Sequence, residues 1–192
     1  DMQITPPATQ QERWEEQEGY SPSTTAAVVA GLITAADIAK MAGDEVNAKR
    51  YLATAKSYNA DIESMMFTTA GNLESNASDG EYFIRIGQDK DANSNTKINA
   101  NNGREGFNKK QILDGGFLEL VRYGVRDALA PSIVKTLPEY DDETLTDNLQ
   151  VKYSFEFTDG SGTFAGYRRY GNDGYGEDEV TGANYAEGGK NS

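Results

Sequence analysis

Two segments of helix length stand almost end to end in this chain, with only Gly43 and Asp44 between them. Residues 24–42 are Ala-rich and apolar nearly all round, through Val28, Val29, Leu32, Ile33, Ile38 and Met41. Small residues on every face predict a helix packed on several sides. Gly43 suits a helix C-terminus, where a left-handed residue turns the chain, and Asp44 can cap the helix that follows. Residues 45–67 place Tyr51, Leu52, Ala55, Tyr58, Ile62, Met65 and Met66 at helical spacing. So short a connection makes the two helices antiparallel neighbours, and a helical hairpin is expected.

The rest is less regular. Residues 1–23 are polar, carry prolines at positions 6, 7 and 22, and read as loop around a charged stretch at 11–18. Residues 70–108 are rich in Asn, Asp, Ser and Gly, with one strand-like run at 81–86 in which Tyr82, Ile84 and Ile86 alternate. A third helix is expected over 109–123, opened by Asn108 and Gln111 as a capping box and stopped by Gly124. A fourth is expected over 130–137. Val151, Tyr153, Phe155 and Phe157 alternate and predict a strand. From Asp159 onward nine of 34 residues are Gly, which predicts long loops. Long loops inside a compact domain usually carry function. A helical barrel with its site built from inter-helix loops accounts for them better than a simple bundle.

Composition removes several kinds of chemistry. The chain has 192 residues, enough for one domain, and its 37% hydrophobic content excludes bulk disorder. Its formal net charge of -13 opposes phosphate backbones and anionic membranes, so neither nucleic acid nor membrane is expected as a partner. Neutral sugars are not repelled. There is no Cys and no His, which excludes thiol nucleophiles, Ser-His triads and zinc fingers within the chain. Acid-base work is left to carboxylates, Tyr, Lys or Arg. The longest apolar run, residues 26–36, is interrupted by Thr34 and ends before Asp37, so no membrane span is expected.

The sharpest cluster is Glu12-Arg13-Trp14-Glu15-Glu16, followed by Gly19-Tyr20-Ser21-Pro22-Ser23-Thr24. Hydrolysis of a glycoside needs a protonated carboxyl beside the leaving oxygen. Crowded negative charge and partial desolvation keep a carboxyl protonated. Glu12, Glu15 and Glu16 around Trp14 offer both, and the indole gives a flat face for a pyranose ring. On spacing alone, a solvated acidic loop with Trp14 as a core anchor is the plainer reading. A second block runs from Leu113 through Asp114-Gly115-Gly116-Phe117-Leu118-Glu119-Leu120-Val121-Arg122 to Val125. It reads as a helix with Phe117, Leu118 and Val121 in the core and Glu119 with Arg122 as an i, i+3 pair. A third, Arg169-Tyr170-Gly171-Asn172-Asp173-Gly174-Tyr175-Gly176-Glu177, reads by itself as an ordinary turn.

Taken in order, the three blocks resemble glycoside hydrolase family 15, which includes glucoamylases and glucodextranases. The resemblance covers nearly the whole chain. It implies that Glu15 is the general acid and that Glu16 contacts the sugar beyond the cleaved bond. It implies that Arg13 and Trp14 line the glucose pocket and that Arg169 hydrogen-bonds the terminal glucose. A planar fork of donors suits two sugar oxygens at once. Asp173 would fix that Arg or accept from a hydroxyl, and Tyr175 joins the same substrate-binding set. Where the family has Gly-Gly before the Tyr, this chain has Glu18-Gly19.

The resemblance further implies an all-α fold, a six-hairpin (α/α)6 toroid with long inter-helix loops and a few short strands. The family's general base lies in a segment like PEQ-x-W, which does not occur here. Residues 1–192 are therefore expected to be part of one catalytic domain, incomplete at both ends, with the rest of that domain as partner. The implied reaction is inverting, exo-acting release of β-glucose from α-glucans or dextran-like oligosaccharides, without metal or cofactor, in a secreted or periplasmic protein. Rival readings are a glucan-binding or assembly protein on the same fold, or a trehalose-cleaving relative. Asp89-Lys90-Asp91-Ala92-Asn93-Ser94 begins like a calcium loop. Ser94 stands where that loop's Gly belongs and Ala100 where its Glu belongs, so a polar loop is expected.

Overall fold

A computed structural model describes residues 5–98, 106–146, 149–157 and 159–175. Pro22–Met41 (α1) and Glu45–Met66 (α2) form the expected hairpin. Pro22 suits the first turn, where its missing N–H has no helical partner to lose. Gly43 turns the chain at φ +78°. The Asn47 backbone N–H donates to the Asp44 carboxylate at 3.0 Å and so starts α2. Ala48, Ala55, Tyr58, Ile62, Met65 and Met66 form the buried stripe of α2. Val29 of α1 packs with Ala55 and Tyr58, and Ala26 joins Ile62, Met65 and Met66 in the main core.

α1 packs against α2 and the short helix Leu118–Arg122, and one of its faces lies bare in this chain. Ile33, Ile38 and Met41 are 43%, 61% and 88% exposed, because no described element covers that face. α1 is also long and apolar enough, by length and composition, to cross a membrane, with a mean hydropathy of 1.3. Its unbroken apolar run nonetheless stays short, since Thr34 interrupts it and Asp37 ends it; the window passes on its average.

The remaining elements form three antiparallel ribbons and two further helices. Phe67–Thr68 (β1) pairs with Tyr82–Phe83 (β2), and Lys97–Ile98 (β3) with Phe107–Asn108 (β4). The expected strand at 81–86 shrinks to two residues because the backbone bonds elsewhere: Ile84 N–H donates to the Met66 carbonyl and Arg85 N–H to the Ile112 carbonyl. Its side chains do not alternate in burial; Tyr82, Phe83, Ile84, Arg85 and Ile86 are all buried. The core gathers Tyr82, Phe83, Leu113, Phe117, Leu120 and Ile133 against α2.

The continuous helix expected over 109–123 is absent. Short 3-10 turns at Lys109–Gln111 and Gly115–Phe117 precede a brief α3, Leu118–Arg122. The break lies at Asp114, which is extended and accepts the Gly116 N–H at 2.8 Å, making a new N-cap in mid-segment. The Asn108–Gln111 capping box forms, and Gly124 ends the segment at φ +70°. Pro131–Tyr140 (α4) runs three residues past its expected end. Lys152–Phe157 (β5) is the expected strand, but Gly162–Tyr167 (β6) pairs with it where loop is expected. Gly162 and Gly166 lie opposite Phe157 and Tyr153, so the glycines face aromatic residues in the ladder.

Candidate active site

Residues 9–19 form a closed loop. Thr9 and Gly19 bridge its neck through hydrogen bonds of 2.8 and 3.0 Å. Inside, Glu12 N–H donates to the Gln17 carbonyl at 3.1 Å, and Glu15 N–H donates to the Glu12 carbonyl at 2.9 Å. Glu15 stands in this turn at φ +60°, a left-handed conformation rare for a residue other than Gly, Asn or Asp. Its side chain is exposed. The Glu12 carboxyl, three residues earlier, is buried, at 3% exposed. Burial pushes it up to about 7 against the pull of Arg85.

Beneath the loop lies a buried frame of charge. Arg85, fully buried, pairs with Glu12 and lies 3.6 Å from Glu16. Its guanidinium sits 3.4 Å from the centroid of the Tyr170 ring, and the Tyr170 hydroxyl donates to Glu16. Arg169 Nη1 donates to Glu16 at 2.8 Å. Its Nε and Nη2 hold Asp173 at 2.7 and 2.8 Å. Burial opposes the charge on Arg169, but the Asp173 and Glu16 carboxylates outweigh it and raise its pKa. Asp173 is fully buried, so it braces Arg169 from behind. Tyr175 is 63% exposed, with its ring 4.6 Å from the Arg169 guanidinium.

Trp14 Nε1–H donates to Asp114 Oδ2 at 3.1 Å. This joins the first sequence block to the second, while the Asp114–Tyr170 bridge joins the second to the third. Burial pushes the Asp114 carboxyl up. The blocks border a cleft of about 340 Å³ lined by Arg13, Trp14 and Arg169 and, unforeseen, by Leu118, Glu119, Tyr140, Tyr167 and Arg168, with Gly115. Leu118 is 38% exposed on the cleft wall rather than in the core. Glu119 meets Arg122 at 3.4 Å, as its spacing predicts, and also Arg13 at 3.8 Å. Tyr140 and Tyr167 stack with centroids 5.0 Å apart. No motif marks them, because their meeting depends on β6.

Of the residues singled out by sequence, Arg13, Trp14 and Arg169 line the cleft; Glu16 and Asp173 hold Arg169; Glu15 and Tyr175 are exposed beside these residues in the chain. Gly176 and Glu177 of the third block lie outside the described residues. The calcium-like loop closes on a protein cation instead: Asp89 pairs with buried Lys109 and accepts from Ser94 and Thr96. Ala100 lies outside the described residues. Among the described residues no group of three or more acidic side chains is arranged to hold a metal.

The family model for glycosyl hydrolases family 15 matches residues 5–186. A glucoamylase of Clostridium sp. (strain G0005) is 38% identical over 175 residues, which is 91% of this chain and 22% of that protein. The crystal structure of a bacterial glucoamylase complexed with acarbose superposes with a TM-score of 0.80 at 38% identity, covering 97% of this chain and 25% of that one. The chain thus spans about a quarter of the length of these relatives. The unmatched 3% of 192 residues is about six, too few to hold the 20-residue α1, so most of α1 belongs to the shared fold. The chain belongs to glycosyl hydrolases family 15.

Proposed function

We propose that residues 1–192 form the acid-bearing part of a longer catalytic domain that hydrolyses α-linked glucose from the non-reducing end of glucans. The carrying observation is the convergence of three distant blocks on one cleft, with Glu16 held by Arg169 and Trp14 by Asp114. Glu15 protonates the leaving oxygen. Trp14 packs on the terminal glucose, Arg13 and Arg169 donate to its hydroxyls, and Tyr175 closes over it. Glu16 touches the next sugar, and Asp173 keeps the Arg169 fork in plane. The general base comes from the rest of the domain, a six-hairpin toroid to which this chain contributes α1 and α2. Attack from the opposite face releases β-glucose with inversion. That geometry requires the two carboxyls to stand roughly 6.5–9.5 Å apart, leaving room for a water.

The test compares two substrates in the full-length protein. General acid catalysis contributes about 10²–10⁴-fold. Glu15→Gln should lose at least that on maltose, with little change in binding, and far less on α-glucosyl fluoride, whose leaving group needs little protonation. Glu16→Gln should instead raise KM for maltose. If Glu16→Gln carries the leaving-group-dependent loss and Glu15→Gln does not, the acid is the other glutamate.

A further inference from the structure

We infer that Glu12, through its buried ion pair with Arg85, is the positioning residue that aims the carboxyl of Glu15. The inference rests on the reading of Glu15 as the acid. Its basis is connectivity. Glu12 is joined to Glu15 directly, by accepting the Glu15 N–H at 2.9 Å, and it closes the turn by donating its own N–H to Gln17. Its side chain, with no exposed surface, is fixed to the equally buried Arg85. Arg85 also lies 3.6 Å from Glu16, so one guanidinium meets the carboxylates on both sides of Glu15 from beneath. The Tyr170 ring lies against the face of that guanidinium, which leaves it no room to swing.

Glu15 itself has an exposed side chain at a left-handed φ of 60°. Among the described residues no hydrogen bond or ion pair of its side chain sets its direction; the backbone of the turn does. A buried ion pair is a weak source of stability, since desolvation offsets most of the attraction. Two apolar residues of similar volume would hold the loop equally well. What the charged pair adds is a fixed register: the fork of Arg85 fits carboxylates at positions 12 and 16 together, and a shift of one residue in the loop breaks both contacts. An acid displaced by about 1 Å can cost on the order of a hundredfold in rate.

The experiment uses the full-length protein with Glu12→Ala, Glu12→Gln and Arg85→Lys. Glu12→Ala should lower kcat on maltose about 10- to 100-fold with KM within about twofold. On α-glucosyl fluoride the loss should shrink severalfold, because a misaimed acid matters less there. Glu12→Gln keeps an acceptor for Arg85 and should recover most of the rate. Should Glu12→Ala not fold, Arg85→Lys keeps the charge but loses the planar fork, and the same substrate dependence is expected of it. Equal losses on both substrates, or a change confined to KM, would overturn the positioning role. The Glu15→Gln control separates the two claims. If that control also lacks leaving-group dependence, the acid assignment is wrong; if only the Glu12 and Arg85 variants lack it, positioning alone has failed.

Discussion

Trp14 and Asp114 are 100 positions apart in the chain and 3.1 Å apart in space, where the indole N–H donates to a buried carboxylate. The same carboxylate caps Gly116. Asp114→Ala should therefore release both groups. Loss of a helix cap costs about 0.5–2 kcal/mol, and an unsatisfied buried donor adds about 1–3 kcal/mol. Thermal unfolding should show the drop, and KM for maltose should rise because Trp14 is no longer held. An unchanged KM would mean that Trp14 does not meet the substrate.

Tyr167 reaches the cleft only because β6 pairs with β5, and it lies flat on Tyr140. An aromatic wall beside a sugar cleft favours stacking on a pyranose ring. Tyr167→Ala should weaken kcat/KM by about 0.5–1.5 kcal/mol, the value of an aromatic pair. The loss should grow with substrate length, from maltose to maltotetraose, if the wall meets sugars beyond the cleaved bond. A loss of the same size for every length would place Tyr167 against the terminal glucose instead.

Asp89 is the acid-sensitive anchor of the loop before β3. Burial pushes its carboxyl up, but hydrogen bonds from Lys109, Ser94 and Thr96 prevail and hold it below its ordinary value of 3.8. A lowered folded value means that its contribution is present above about pH 4 and is lost as the pH falls further. Asp89→Asn should destabilise the full-length protein at pH 7 by about 1.5–3 kcal/mol, the range for hydrogen bonds to charged groups. The difference in unfolding midpoint should narrow by pH 3. A constant difference across that window would rule out the titration.

The purified 192-residue chain should release no measurable glucose from maltose. Ile38, Met41, Val46 and Leu129 are 61%, 88%, 79% and 82% exposed on it. Apolar surface of this kind drives association. Light scattering should report self-association that the full-length protein does not share, and glucose release by the chain alone would contradict the need for a separate base.

The α1–α2 hairpin is legible because its signals are local: a Gly at a left-handed turn, a capping Asp and a stripe at helical spacing. The segment at 109–123 misleads because Asp114 offers the backbone a competing partner, and that competition is resolved by contacts with Trp14 and Tyr170 far along the chain. β6 is illegible for a related reason. Gly162 and Gly166 have poor strand preference by themselves and become strand only opposite Phe157 and Tyr153. The site divides likewise. Arg13, Trp14 and Arg169 are marked by motif, whereas Tyr140 and Tyr167 carry no mark until the ladder brings them together. Arg85 sits in an apolar run, Tyr82 to Ile86, where an arginine reads as solvent-facing; its burial follows from the carboxylates of residues 12 and 16.

The bond from Tyr170 to Glu16 spans 154 residues. Closing a loop of that size costs about 4.5 kcal/mol beyond a constant, on the (3/2)RT ln n scaling. The turn around Glu15 therefore acquires its frame in stages: Arg85 closes on Glu12 across 73 residues, and Tyr170 reaches Glu16 only when almost the whole segment has condensed. In synthesis the order is stricter still: Glu15 is made among the first residues of this segment, and Tyr170, which donates to its neighbour Glu16, emerges some 150 residues later. Until then the helical hairpin can fold, and the turn around Glu15 leans on Arg85 and Asp114 alone.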